Sequence, residues 1–301
     1  MGRRLIVTGA SGFVAGSVIW QAGPKWEVHA LSGKPAPTQR PNLHWHTTDV
    51  LDPDQLRRVF ESIRPSVVIH AAAIADINFC EANTDTADEV NIVLTRTVVE
   101  LCREGGARLV FVSTDTIFDG EKGNYVESDP PGPVNYYGHT KVMAEERVQE
   151  RLHDWVIARP AIVLGLPFFS EGNSALVRLL AALRAGQQVK ALINEVRSPI
   201  DVITLGEALL ELAGNDYQGI LHLGGNDRVE RPSFCRQIAQ RLGFSPELIV
   251  PVNAKGISGR APRPRDVSLD NSKARATLKT KMRGLLDGLE RVLESRPASS
   301  L

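Results

Sequence analysis

A glycine-rich turn near the N-terminus restricts the fold of this chain more than any other feature. Thr8-Gly9-Ala10-Ser11-Gly12-Phe13-Val14-Ala15-Gly16 follows an apolar β-type run, Arg4–Val7, and opens a helical pattern that continues through Trp20. In such a unit Gly9 allows the sharp reversal, and Gly12 lets backbone amides approach a diphosphate at the positive end of the helix. Ala15 is small enough for the helix to lie close on the strand. A glycine cluster elsewhere would mark an ordinary turn; at the first strand–helix junction it marks a dinucleotide site.

The pattern that follows supports this context. Glu27–Leu31, His44–His46, Ser66–His70, Leu109–Val112 and Trp155–Ala158 are short β-type runs. Between them lie helical patterns at Pro53–Ile63, Thr84–Glu104 and Tyr137–Leu152. Near-continuous apolar strands alternating with helices predict a parallel sheet covered on both faces, an α/β doubly wound (Rossmann) fold. After Pro160 the pattern loosens, which predicts a dinucleotide-binding domain over 1–165 and a smaller, mainly substrate-binding lobe over 166–301. Strands from about 189–223, Ile220–Leu223 among them, are expected to return to the main sheet.

Composition narrows the class of partner. The formal net charge is zero, so no global field draws nucleic acid or an anionic membrane. No apolar run approaches the ~18 residues of a membrane span, and MGRRLIVTG enters a strand at once, without a leader pattern. Cys80, Cys102 and Cys235 are far apart and match neither a disulfide framework nor a metal-ligand spacing. A cytoplasmic protein without a metal is expected.

The second strand selects the dinucleotide. NAD-specific sites carry an acid at its end for the ribose 2′-hydroxyl, but here the chain reads Ala30-Leu31-Ser32-Gly33-Lys34. Ser32 and Lys34 suit a 2′-phosphate, by hydrogen bond and charge, so NADP(H) is the expected cofactor. Asp49, in Thr47-Thr48-Asp49-Val50-Leu51-Asp52, is placed to reach the adenine, while Asp52 before Pro53 is a helix cap.

Tyr137-Gly138-His139-Thr140-Lys141 puts Tyr137 and Lys141 one helical turn apart on a common face. An ammonium beside a phenol stabilises tyrosinate and makes the phenol a usable general acid. Alone, this spacing is most often a surface pair. Thr114 strengthens the case, since it follows the fifth strand at the carboxyl edge, where open α/β sheets bind ligands. Its hydroxyl can hold a substrate carbonyl oxygen while Tyr137 protonates it.

The chain resembles the extended short-chain dehydrogenase/reductases, and within them the dTDP-4-dehydrorhamnose reductase family. The resemblance rests on TGASGF (8–13), HAAAIADINFCEAN (70–83), VNIVLT (90–95), the long block STDTIFDGEKGNYVESDPPGPVNYYGHTK (113–141), RSPIDV (197–202) and RPRDVSLDNSKA (263–274). It implies catalytic roles for Thr114, Tyr137 and Lys141, and a proton-relay position for Asn91. It further implies cofactor contacts at Gly9, Ser11, Gly12, Phe13, Val14, Val50, Ala71, Ala72 and Ala73, besides Ser32, Lys34 and Asp49. Asp115 and Arg197 are implied substrate contacts. Sugar-nucleotide dehydratases of similar fold use an Asp-Glu pair where this chain has Asp115-Thr116; threonine does not titrate usefully, so elimination of water is not expected.

Arg260, Arg263 and Arg265 lie in a proline-stiffened segment, Gly259-Arg260-Ala261-Pro262-Arg263-Pro264-Arg265-Asp266. Guanidinium groups held ready in this way suit a diphosphate, although a run of charges is more commonly a solvated loop. The segment lacks the aromatic side chains that would stack on nucleic acid bases. The expected function is NADPH-dependent reduction of a keto group on a nucleotide-linked deoxysugar, with a homodimer as the expected assembly. Two alternatives stay open: reduction of a non-nucleotide carbonyl metabolite, and a non-catalytic NADP-binding subunit. The regulatory beta subunit of methionine adenosyltransferase, which resembles the same reductase group, exemplifies the second.

Overall fold

Apolar, β-branched runs become the strands of one parallel sheet in the computed structural model, which describes residues 2–169, 174–253 and 259–295. β1 (Arg3–Thr8) leads through the glycine turn to α1 (Phe13–Gln21), followed by β2 (Trp26–Ser32), β3 (Leu43–Thr47), α2 (Pro53–Ile63) and β4 (Val67–His70). Next come α3 (Ile77–Ala82), α4 (Thr84–Asp88), a π-helical turn at Glu89–Val93, α5 (Leu94–Gly105), β5 (Arg108–Val112), α6 (Tyr136–Arg151) and β6 (Trp155–Pro160). The remainder contains β7 (Val163–Leu164), α7 (Ala175–Arg184), β8 (Val189–Leu192), β9 (Val196–Arg197), β10 (Ile200–Asp201), α8 (Val202–Gly214) and β11 (Gly219–Leu223). It closes with β12 (Val229–Glu230), α9 (Arg231–Arg241), β13 (Ile249–Val252), α10 (Ser272–Thr277) and α11 (Leu285–Glu294).

The seven-stranded sheet has the order β11-β6-β5-β4-β1-β2-β3, all neighbours parallel. Alternation along β1 divides the core: Leu5 and Val7 face a layer with α1 and α8, and Ile6 faces one with α2, α5 and α6. The chain winds outward in both directions from β1, so the order reverses between β1 and β4. Above the carboxyl ends of those two strands the connections part and leave a crevice, the usual ligand position in such sheets.

Of the strands expected between 189 and 223 to rejoin the sheet, β11 does so, pairing with β6. β8 does not; it pairs with β13 inside the C-terminal lobe. Its burial pattern explains this, because Ala191 packs with Leu176, Leu180, Ile238 and Leu289 in a separate apolar cluster. Among the described residues, no helix is long and apolar enough to cross a membrane.

The helix expected over Thr84–Glu104 is interrupted. α4 passes into α5 through the π-helical turn, which contains Asn91. The buried Asn91 amide accepts from the Ile74 N–H (2.8 Å) and donates to the Ile74 carbonyl (3.1 Å) and to Thr140 Oγ1 (3.0 Å). A polar side chain tied to two other segments fixes the helix at that point, and a local π turn accommodates the register it demands.

Candidate active site at the sheet crevice

Gly9 holds a tight position at the crevice. Its φ is +68°, and an added Cβ would lie 2.7 Å from Ala72 Cα and 3.1 Å from the Ala71 carbonyl carbon. The turn after β1 and the loop after β4 therefore touch through bare backbone. Gly12 caps α1 with no side-chain hydrogen bond, and the first turn of α1 has no acidic residue. That end offers free backbone amides and a positive dipole to an anion. Ser11 lies partly exposed beside it. Phe13 and Val14 use their side chains for packing, Phe13 against the lobe core and Val14 against the sheet core. Ala72 donates its N–H to Thr8 Oγ1 (3.3 Å), and Ala73 is partly exposed next to it.

At the end of β2 the buried Ser32 hydroxyl accepts the Lys34 N–H (3.0 Å), closing a short turn. The Lys34 side chain is exposed, and its carbonyl accepts the Trp45 indole N–H (2.8 Å). No carboxylate occupies the strand end. Asp49 is occupied locally, its carboxylate accepting the Leu51 N–H (2.9 Å), while Val50 packs on the sheet core. Asp52 caps α2 through the N–H groups of Asp54 and Gln55, as its position before Pro53 predicts.

Thr114, Tyr137 and Lys141 come together above β5. Thr114 is extended and caps the short turn Asp115–Ile117. Tyr137 and Lys141 lie on the buried face of the first turns of α6, which Asn135 caps by accepting the Gly138 N–H (2.9 Å). Gly138 allows α6 to approach: a Cβ there would meet the Thr116 carbonyl oxygen at 2.5 Å. Sequence reasoning overlooked Gly138, although its place between Tyr137 and Lys141 was the available signal.

The electrostatics differ from the expectation of an ammonium-lowered phenol. Burial raises the Tyr137 phenol well above its usual range, opposed by a hydrogen bond from the Thr114 hydroxyl. Lys141 is 2% exposed, and burial pushes it down to about 7, with Glu145 acting in the opposite direction. Its Nζ donates to the Val112 carbonyl (2.8 Å) and sits 4.0 Å from the centre of the Phe111 ring. The lysine is thus spent on the end of β5, and desolvation dominates at the phenol. Below it, Glu145 and Arg159 form a buried ion pair (2.6 Å), and Ser113 donates to the same carboxylate.

Asp115 is buried beside Thr114. Its Oδ1 accepts from the Thr114 and Thr116 hydroxyls (3.3 and 3.1 Å), and its Oδ2 has no hydrogen-bond partner among the described residues. Burial raises its carboxyl, and the charge of Arg197 counteracts this. Arg197 donates to the carbonyls of Val196, Pro264 and Arg265 and so clamps the arginine segment to β9. Arg263 bonds Asn78 Oδ1 (3.0 Å) and the Ala261 carbonyl (2.9 Å), Arg260 pairs with Glu195, and Arg265 is exposed. The segment is thus a built loop rather than a free charged one.

Comparison with known proteins adds lineage to this geometry. A family model described as RmlD substrate binding domain matches residues 3–296. A dTDP-4-dehydrorhamnose reductase of Mycobacterium tuberculosis is 29% identical over 86% of this chain and 82% of its own length. Methionine adenosyltransferase 2 subunit beta of Danio rerio is 26% identical over 90% of this chain and 84% of its own. Among solved structures, a dTDP-4-dehydrorhamnose reductase from Bacillus anthracis in complex with NADP superposes with a TM-score of 0.88. It is 23% identical, covering 98% of this chain and all of the other.

Proposed function

The chain belongs to the RmlD substrate-binding domain family, and from that premise we propose that it is an NADPH-dependent reductase of a keto group on a nucleotide-linked deoxysugar. The observation that carries the proposal is the Thr114–Tyr137 hydroxyl pair, buried beside Lys141 at the crevice edge. The name of the Mycobacterium tuberculosis relative and the NADP bound in the Bacillus anthracis structure support it.

The residues present fit the cofactor. Gly9 and Gly12 leave a cradle that side chains would fill, and the amides of Ser11, Phe13 and Val14 would hold a diphosphate there. Ser32 and Lys34 would take the 2′-phosphate, Asp49 and Val50 the adenine side, and Ala71, Ala72 and Ala73 the opposite wall. The bound cofactor supplies a hydride to the substrate carbon. Thr114 holds the carbonyl oxygen, and Tyr137 donates its proton to it. A phenol that burial keeps protonated is an acid in the correct state at neutral pH. Lys141, which donates to the Val112 carbonyl at rest, would turn to the phenolate left behind, and Asn91 with Thr140 would stand on the path by which a proton returns. Asp115 would accept a sugar hydroxyl, while Arg197, Arg263 and Arg265 form the diphosphate end.

In this proposal residues 1–165 with β11 form the cofactor domain and the rest the substrate lobe, in a cytoplasmic homodimer. Incubation of purified protein with NADPH and 4-keto-6-deoxy sugar nucleotides should oxidise the cofactor and yield the corresponding alcohol; absence of turnover with every such substrate rejects it. The similarity to a methionine adenosyltransferase subunit favours a second reading, a cofactor-binding partner protein. That role would leave partner binding unchanged in Tyr137→Phe, whereas a reductase loses its activity.

A further inference from the structure

At the edge of the sheet farthest from β11, four polar side chains share one face. Glu27 and His29 alternate on β2, His44 and His46 alternate on β3, and the parallel register sets His29 opposite His44. The His29 ring stacks on those of His44 and His46, with centroids 4.9 and 5.3 Å apart. Glu27 Oε1 lies 3.5 Å from His29 Nε2 and 3.6 Å from His44 Nε2. These distances are long for hydrogen bonds. They approach the ligand–ligand edge of a tetrahedral zinc site, which for bonds of 2.0–2.1 Å is about 3.3–3.4 Å.

A second observation concerns His29 alone. It is 7% exposed, and its Nε2 is buried with no hydrogen-bond partner among the described residues. A buried ring nitrogen left in that state costs stability. Its Nδ1 is 3.0 Å from His46 Nε2. With Nδ1–H as donor in that bond, His29 Nε2 keeps its lone pair, directed at the space between Glu27 and His44. A ligating histidine is oriented by its second nitrogen in this way.

We propose that Glu27, His29 and His44 bind one divalent transition-metal ion of the zinc type, with His46 orienting His29 from behind. Two imidazoles and one carboxylate suit zinc better than magnesium or calcium, which prefer all-oxygen sites. The half-exposed Glu27 and His44 leave the fourth position to water. Such an ion would cross-link the edge strand β3, which leads into Asp49, to β2, which ends at Ser32. The sequence signal was Glu-x-His on one strand and His-x-His on the next; spacing along the chain did not show that the two strands are adjacent.

The test is a zinc titration of chelator-treated, full-length protein against a chromophoric competitor, with cobalt absorption as a second readout. One equivalent should bind, cobalt should give the intense visible bands of a four-coordinate site, and the melting temperature should rise with zinc. His44→Ala, at an exposed position that leaves the core intact, should weaken zinc binding by more than tenfold, and Glu27→Gln likewise. His46→Gln should weaken it about 10- to 100-fold, the range for an outer-shell partner. His153→Ala, on a separate exposed loop, should bind as wild type does. The site is ruled out if no saturable uptake occurs, or if His44→Ala takes up zinc as well as wild type.

Discussion

The Tyr137 phenol in the first turn of α6 lies against the Thr114 hydroxyl at the end of β5, which counters the effect of burial on the phenol. The two groups that would hold and protonate a carbonyl oxygen are thus in contact before any substrate arrives. Substrate binding has only to insert the oxygen between them.

Tyr137→Phe removes the proton donor and should lower kcat by about 10²–10⁴-fold, the usual weight of a positioned general acid. Thr114→Val keeps the shape and loses the hydroxyl, and should also act mainly on kcat. Steady-state kinetics beside NADPH titration checks this. Loss of cofactor affinity equal to the loss of rate would contradict the assignment.

Lys141 predicts a pH dependence of stability. Its folded-state value, about 7, lies below the unfolded value of 10.5. Between these the unfolded chain binds more protons, so this group makes the protein more stable as pH rises through that window. The penalty is full below pH 7. Relative to Lys141→Met, wild type should gain at most about 1.4 kcal/mol per pH unit from pH 7 to 10. Denaturant melts of both proteins across that range are the measurement, and a constant difference would contradict the burial argument.

Gly9→Ala places a Cβ against Ala72 at a positive φ. The strain should cost on the order of 1–3 kcal/mol, and the widened crevice should weaken NADPH. Thermal melting and fluorescence titration of NADPH report the two effects separately, and native NADPH affinity in a folded Gly9→Ala would show that the turn does not line the site.

Lys34→Ala should lower affinity for NADPH while leaving NADH nearly unchanged, because only the 2′-phosphate meets that ammonium. A tenfold loss corresponds to about 1.4 kcal/mol. Equal losses for both cofactors would place Lys34 outside the phosphate site.

The sheet was legible in the sequence because its strands are buried on both faces and read as uninterrupted apolar runs, as in Val67–Val68–Ile69. The proposed reactive set could be singled out because its members stand at strand and helix ends with fixed spacing. Interactions between distant segments were not. The π turn at Asn91 depends on Ile74 and Thr140, and the Lys141 ammonium turns to Val112 rather than to the phenol. Arg260 is held by Glu195, a partner far away along the chain. Pairing of β8 with β13 likewise follows from the lobe's own core, which local periodicity does not encode.

β11 occupies the edge beside β6, and α8 covers the face on which Leu5 and Val7 lie. Both arise after residue 200, so a nascent chain that has emerged only through β6 has its cofactor turn but not the cover for its own sheet. Such an intermediate exposes an unpaired strand edge and an apolar face together, the combination most prone to misassociation during synthesis. Truncation after β6, before α8 begins at Val202, should therefore give an aggregating fragment rather than a smaller cofactor-binding protein.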